Sequence, residues 1–366
     1  MIKYYDMSAI TRKVRDAAKD SLDNIMNENN YIYDTKDFEN RFKRFTGVKY
    51  CVGVSSGTAA LHLALKAIGI EKDDLVATVS HTFRATAAAI KYINAKPVYV
   101  DIEPHSYCMD PLSLKKTLND NPNIKAVIVV HLYGNSAEIK KIADICKSRK
   151  VKLIEDCSQA HGTLYQSRHV GTFGDIGTFS FFPGKGIGAF GDAGACITNN
   201  AEYYNYITEA RSWKEDEIGY NYRMSTMNAK LLCHKIDHFK KVLHDKREIA
   251  KKYDEHFKNT LVKSGVEHSY HIYSILHPHR DKLMTYCNEN GVELKCHYPL
   301  PVHKLPAYKT DEYSLLVTDV ISQQQVSLLI YPGVKWERVI KVVKEYDNVA
   351  FSIRAEKRNK YEKEKS

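Results

Sequence analysis

The feature that most constrains the fold is a series of seven short apolar segments between residues 49 and 199, separated by stretches of helical pattern. This alternation is typical of a wound α/β sheet with helices on both faces. Helices are predicted over 58–68, 82–93, 111–118 and 137–148, and we expect a mostly parallel seven-stranded sheet between them. The predicted strands are YCVGV (50–54), LVATV (75–79), PVYVDI (97–102), AVIVVHLY (126–133), KLIEDC (152–157), GTFSFF (177–182) and GACITN (194–199).

The pattern changes after residue 200, which predicts a second structural unit. A helical, charged stretch runs to about residue 257. Strands at 269–276, 292–298 and 326–331 then alternate with helices at 280–290 and 336–345. The sequence therefore predicts three parts: a large domain with an N-terminal helical segment (1–240), a small C-terminal α+β domain (241–353) and a charged tail expected to be disordered (354–366).

Composition excludes several classes of protein. The formal net charge is +10, but Lys and Arg are spread along the chain without a nucleic-acid motif, so no nucleic-acid partner is expected. No stretch reaches the roughly 18 apolar residues of a membrane helix, and the N-terminus lacks a signal-peptide core. The eight cysteines show no metal-ligand spacing. We expect a cytoplasmic protein without a metal site.

A single lysine, Lys185, lies in a glycine-rich loop after an aromatic strand. Gly186, Gly188 and Gly191 match the G-x-G-x-x-G spacing, but that dinucleotide motif opens a helix, and here a predicted strand follows. A phosphate-binding P-loop is also excluded, because glycine follows Lys185 where that motif requires Ser or Thr. The remaining chemistry is Schiff-base formation by a desolvated lysine. The alternative for a lone loop lysine is a solvated charge.

Two further segments supply groups that suit a cofactor. Glu155 and Asp156 close an apolar strand, where a side chain points into the ligand crevice of a wound sheet. A carboxylate there could hold the pyridine nitrogen of pyridoxal phosphate in its protonated form, or could simply be a turn acid. The turn SSGT (55–58) offers N–H groups and hydroxyls to an anion, or is an ordinary helix cap.

Five ordered motifs extend this pattern to nearly the whole chain. They resemble the DegT/StrS family of pyridoxal-phosphate-dependent nucleotide-sugar aminotransferases, which have the aspartate aminotransferase fold. The resemblance runs from FENRF (38–42) to HYPLPVH (297–303). The motifs are SSGT (55–58), HTFRAT (81–86), EDCSQAHG (155–162), FSFFPGK (179–185) and GYNYRM (219–224).

The resemblance implies a role for each matching residue. Lys185 would form the Schiff base with the cofactor and carry protons during the reaction. The implied cofactor contacts are Asp156 to the pyridine nitrogen, Gln159 to the 3-hydroxyl, Phe83 stacked on the ring, Gly57, Thr58 and Ser180 to the phosphate, and Asn221 to the phosphate across a dimer interface.

The implied reaction moves an amino group from glutamate to a keto group of a nucleotide-linked (deoxy)sugar, for surface-polysaccharide or glycan biosynthesis. A homodimer with shared active sites is expected. The form of the lysine loop favours carbon 3 over carbon 4, and Gly186 stands where the family usually has Asn. Two alternatives stay open: a nicotinamide-dependent oxidoreductase, which requires a helix after Gly191, and a non-catalytic nucleotide-sugar-binding regulator.

Overall fold

The computed structural model describes residues 1–6, 8–29, 34–215, 218–257, 265–309 and 313–348. The predicted tail (354–366) lies outside these residues. The helices are α1 (Ser8–Asn27), α2 (Lys36–Thr46), α3 (Gly57–Ala67), α4 (Ala85–Tyr92), α5 (Pro111–Asp120), α6 (Ile139–Arg149), α7 (Ala201–Ala210), α8 (Thr226–Asp254), α9 (Arg280–Glu289), α10 (Leu316–Gln324) and α11 (336–348).

Seven of the strands form one large sheet in the order β1-β9-β8-β5-β4-β2-β3, in which only β9 runs antiparallel to its neighbours. This confirms the predicted fold class. The strands are β1 (Tyr50–Val54), β2 (Leu75–Val79), β3 (Lys96–Val100), β4 (Ile124–Val130), β5 (Lys152–Asp156), β6 (Leu164–Tyr165), β7 (Arg168–His169), β8 (Ile176–Ser180), β9 (Gly194–Thr198), β10 (Val266–Glu267), β11 (Tyr273–Leu276) and β12 (Gln325–Leu328).

Alternate residues of the sheet strands face two different hydrophobic cores, because successive side chains of a strand point to opposite faces. In β4, Ala126 and Ile128 pack with α3, α4 and α7. Val127 and Val129 face the other side and pack with α5 and α6. On that second side, α2 and α8 cover β1, β8 and β9. The sheet is therefore buried on both faces, as its near-continuous apolar strands predict.

The C-terminal part forms a separate core around β11 and β12. The second half of α8, α9, α11 and Tyr4 of the N-terminal segment pack against this strand pair. The N-terminal segment joins it through a parallel bridge between Ile2 and Val292. The strand predicted over 292–298 is wrong, because this segment makes only isolated bridges, from Val292 to Ile2 and from Lys295 to Ser327.

Helix α8 passes through residue 240, where the sequence placed the domain boundary. That boundary stays a prediction. Among the described residues, no helix combines the length and apolar character needed to cross a membrane.

Candidate active site

A cavity of about 310 Å³ opens at the carboxyl ends of the parallel strands. Ligands of wound sheets bind at this edge, because the loops that follow the strands meet there. Residues far apart in the sequence thus come together around one space. Of the eight predicted site residues, the cavity is lined by Gly57, Thr58, Phe83, Asp156, Gln159, Ser180 and Lys185.

The N-terminus of α3 forms an anion cradle at one end of this cavity. Ser56 caps the helix by accepting a 3.0 Å hydrogen bond from the N–H of Ala59. The next residue, Gly57, lies so close to β8 that a Cβ atom on it would be 2.6 Å from Cβ of Ser180. Glycine therefore keeps the cradle open, and the helix N-terminus provides N–H groups and a favourable dipole for a phosphate.

Asp156 is the buried carboxylate of the cavity, with an exposed fraction of 4%. Its Oδ2 accepts a 3.0 Å hydrogen bond from the hydroxyl of Thr86, and its Oδ1 accepts one of 3.1 Å from the N–H of Ser158. The hydroxyl of Thr82 lies 3.1 Å from that of Thr86. These contacts fix the carboxylate, and its remaining lone pairs suit a cationic N–H donor.

The neighbouring acid, Glu155, points to the opposite face of the sheet and has a structural role. It is fully buried and accepts hydrogen bonds from the N–H groups of Gly171, Phe173 and Gly174 and from Nε2 of His131, at 2.6–2.9 Å. Burial alone would raise its pKa, but these donors, His131 first, hold the pKa below its ordinary value. Cys157 lies close enough to His131 and Glu155 for a metal site, yet the Glu155 oxygens are already occupied.

Lys185 lies half-buried in the cavity wall. Burial lowers its pKa from 10.5 to about 8, although the negative charge of Asp156 opposes the shift. An amine with this pKa is in part unprotonated near neutral pH and is a competent nucleophile toward an aldehyde. After Gly191 the chain enters strand β9. The nicotinamide alternative is therefore wrong, since its motif requires a helix there.

Helix α8 restrains the glycine-rich loop that carries Lys185. Nζ of the buried Lys235 donates a hydrogen bond to the carbonyl oxygen of Gly188. Oδ1 of Asn228 accepts a 3.2 Å hydrogen bond from the N–H of Phe190, and its Nδ2 donates one of 3.1 Å to the carbonyl of Asp192. Helix α8 thus holds the part of the loop that follows Lys185, from Gly188 to Asp192, which limits the positions that the lysine can take.

Gln159 is held by two tyrosines that come from distant parts of the sequence. Its Oε1 accepts a 2.8 Å hydrogen bond from the N–H of Tyr133, and its Nε2 donates one of 2.9 Å to the hydroxyl of Tyr298. Tyr133 has a φ of +60°, a conformation that non-glycine residues rarely adopt.

Phe83 is 44% exposed, and its ring centroid lies 5.9 Å from that of Tyr298.

Asn221 is the predicted site residue that does not line the cavity. It is exposed, and its Oδ1 accepts a 2.6 Å hydrogen bond from Arg223. Its implied contact comes from a partner subunit, and that role stays a prediction.

Several residues of the cavity wall were assigned no role from the sequence. Among them are Tyr5, Thr82, Thr86, His271, His297 and Tyr298. Thr82 and Thr86 belong to the HTFRAT motif, and His297 and Tyr298 to HYPLPVH, so those motifs were a usable signal. Tyr5 and His271 lie in segments without any such motif, and only the tertiary structure brings them to the cavity.

The described residues fit pyridoxal phosphate. The glycine cradle at α3 suits its phosphate, Asp156 suits its pyridine nitrogen, and the amine of Lys185 suits its aldehyde. A restrained lysine, a buried carboxylate and an anion cradle at the strand ends of a wound sheet define an aminotransferase of the aspartate aminotransferase fold.

Comparison with known proteins gives the family. The model of the DegT/DnrJ/EryC1/StrS aminotransferase family matches residues 12–346, and the chain belongs to this family. One relative is dTDP-3-amino-3,4,6-trideoxy-alpha-D-glucose transaminase of Micromonospora megalomicea subsp. nigra. It is 33% identical over 333 residues, which cover 85% of this chain and 88% of the relative.

Solved structures agree with this assignment. The chain resembles S. venezuelae DesV in complex with a ketimine intermediate, with a TM-score of 0.91, 28% identity and coverage of 94% of this chain and 98% of that chain. NtdA from Bacillus subtilis with bound cofactor PMP gives a TM-score of 0.84 and 25% identity, with coverage of 91% and 82%.

Proposed function

We propose that this aminotransferase uses pyridoxal phosphate to move an amino group from glutamate to a keto group of a nucleotide-linked (deoxy)sugar, for polysaccharide or glycan biosynthesis. The observation that carries the proposal is the placement of Lys185 and Asp156 in one cavity with the glycine cradle at α3. The name of the Micromonospora relative, a 3-amino-sugar transaminase, supports amination at carbon 3. Carbon 4 remains the alternative position. A cytoplasmic location also stays a prediction.

The roles of the residues follow from their chemistry. When bound, the cofactor withdraws electrons from the reacting carbon. Lys185 would hold the cofactor covalently and, once the amine of the amino donor has displaced it, would take up and return the proton of that carbon as a free amine of lowered pKa. Asp156 keeps the ring nitrogen protonated, and Gln159 contacts the 3-hydroxyl. Phe83 stacks on the ring, while Gly57, Thr58 and Ser180 hold the phosphate.

A homodimer with shared active sites is part of the proposal. Phe182 and Phe190, which flank the lysine loop, are 53% and 52% exposed, and Met227 at the start of α8 is 46% exposed. Phe190 and Met227 also line an apolar groove of about 320 Å³ between α1 and α8. A second copy of the chain would cover this surface, and Asn221 is proposed to reach the phosphate of the partner's cofactor.

The decisive experiment compares the purified protein with Lys185→Ala after incubation with pyridoxal phosphate. The wild type should gain a visible absorbance band from covalently held cofactor, and Lys185→Ala should not. Lys241→Ala is the matched control, because Lys241 is an exposed lysine paired with Asp245 on α8. A wild-type protein that takes up no cofactor would contradict the proposal.

The substrate is then identified by the reverse reaction. A panel of 3-amino and 4-amino nucleotide sugars is offered with 2-oxoglutarate, and formation of glutamate is measured. We expect turnover with a 3-amino sugar. Turnover with 4-amino sugars alone would move the proposal to carbon 4, and binding of the sugars without turnover would favour the non-catalytic regulator.

A further inference from the structure

A second, smaller cavity of about 50 Å³ lies beside Lys185, between the lysine loop, α8 and the N-terminal segment. Tyr5, Gly184, Lys185 and His271 line both cavities, so the smaller one is continuous with the wall of the cofactor site. Its size suits one or two water molecules or a single small polar group. None of the roles proposed for the cofactor uses this space.

Lys246, on α8, gives the small cavity a buried cation. The residue is 7% exposed, and its Nζ donates a 3.0 Å hydrogen bond to the carbonyl oxygen of Tyr270. Within the described part of the chain, no carboxylate lies within ion-pair distance of it. Burial lowers the pKa of Lys246 to about 8. A buried ammonium without a counterion is costly, and a site that retains one is a candidate for binding an anion.

Two neutral donors face the same space. Burial, with the nearby charge of Lys185, holds the pKa of His271 well below its ordinary value, so the ring is neutral and can donate one N–H. Tyr5 also lines this cavity; it is 44% exposed, and its hydroxyl is the second neutral donor. The carboxylate that lines this cavity belongs to Asp6, which is exposed.

We propose that this cavity binds the α-carboxylate of the amino donor, through the ammonium of Lys246 and hydrogen bonds from His271 and Tyr5. The inference rests on the proposed function, because it assigns a place to the donor of that reaction. A carboxylate bound here lies beside Lys185, which forms part of the wall. The adjoining α-carbon of the donor is then directed toward the lysine that must take its proton.

The test uses the cofactor-loaded protein and its variant Lys246→Met, with Lys241→Met as the exposed control on the same helix. Calorimetry measures binding of glutarate, a dicarboxylate that cannot react. Loss of a charged partner from a carboxylate site should weaken glutarate binding by about 10- to 100-fold. The KM for glutamate should rise in parallel, whereas reaction with the amino-sugar product should change little.

The outcomes separate this inference from the proposed function. Unchanged glutarate affinity in Lys246→Met overturns the inference, and so does an equal loss of reaction with glutamate and with the amino sugar. If Lys246→Met does not fold, His271→Phe, which removes the N–H donor, replaces it under the same criteria. A wild-type protein that takes up no cofactor overturns the proposed function and this inference with it. If the wild type accepts nitrogen from glutamate and Lys246→Met has the same glutarate affinity and the same KM for glutamate, the inference is overturned and the proposed function stands.

Discussion

The hydroxyl of Thr86 donates a 3.0 Å hydrogen bond to Oδ2 of Asp156, which ties the start of α4 to the end of β5. Because this hydroxyl has one hydrogen, Thr82 must be the donor in its 3.1 Å contact with Thr86. Thr82 and Thr86, two threonines of the HTFRAT motif, therefore fix the orientation of the Asp156 carboxylate. The orientation of this carboxylate thus depends on hydroxyls about 70 residues away in the sequence.

Replacing Thr86 by Val should loosen Asp156 without changing the volume of the site much. Loss of a hydrogen bond to a charged group costs about 1.5–3 kcal/mol, so the affinity for pyridoxal phosphate should fall by roughly 10-fold or more. Fluorescence titration of the cofactor measures this. Thr86→Ser keeps the hydroxyl and should retain the affinity. Equal affinities in the wild type and Thr86→Val would contradict the role of the hydroxyl.

Gly57→Ala should close the anion cradle. The new Cβ would lie 2.6 Å from Cβ of Ser180, and overpacking of this kind costs about 1–3 kcal/mol. We expect a lower midpoint of thermal unfolding and weaker binding of inorganic phosphate. Adding Ser180→Gly removes the nearest atom and should recover part of the stability. If Gly57→Ala alone leaves both stability and phosphate binding intact, the cradle is not at this helix.

The stability cost of Lys246 should depend on pH. Its pKa is about 8 in the folded protein and 10.5 in its ordinary state. At pH 7 the amine is protonated in both states, and the folded state bears the cost of burial. Between pH 8 and 10.5 the folded state loses its proton first, so the free energy of unfolding rises with pH. Lys246→Met should therefore be at least as stable as the wild type at pH 7.

Urea unfolding of the two cofactor-free proteins at pH 7 to 9.5 measures this effect. Relative to Lys246→Met, the wild type should gain on the order of 1–2 kcal/mol over that range. Groups common to both proteins cancel in the difference. The Lys241→Met control should follow the wild type at every pH. A difference between the wild type and Lys246→Met that is constant with pH would show that Lys246 is not the titrating group.

Mixing two impaired variants tests the shared active site. Lys185→Ala lacks the reactive amine, and Asn221→Ala should lack the contact to the partner's cofactor. In a mixed dimer one site carries both defects and the other is intact. Co-expression should restore roughly a quarter of the wild-type activity, given random pairing into two-fold dimers. Activity no greater than that of the two variants measured separately would place Asn221 outside the partner's site.

The parts of the fold that follow from local sequence were predictable. Seven apolar strands, the helices between them and a lysine loop that leads into a strand are properties of short segments, so their residues show them directly. The prediction of a strand over 292–298 was wrong although the apolar residues of this segment alternate as in a strand. In the structure the segment forms only two isolated bridges, to Ile2 and to Ser327. Alternation cannot show whether a neighbouring strand is present.

The remaining wall of the site could not be predicted for a different reason. Tyr5 reaches the cavity from the N-terminal segment and His271 from the segment before β11, and neither has neighbours that form a motif. The support of Gln159 depends on the left-handed backbone of Tyr133, for which a tyrosine gives no local signal. Such contacts are set by how distant segments pack, so sequence spacing carries no information about them.

Adjacent acids at the end of β5 serve opposite sides of the sheet, since Asp156 faces the cavity while Glu155 binds the backbone of residues 171–174. A one-residue insertion or deletion in this strand would exchange the two. The loop would then lose its anchor at the same moment as the cavity lost its anion. Folding and chemistry are therefore coupled to a single register at this strand.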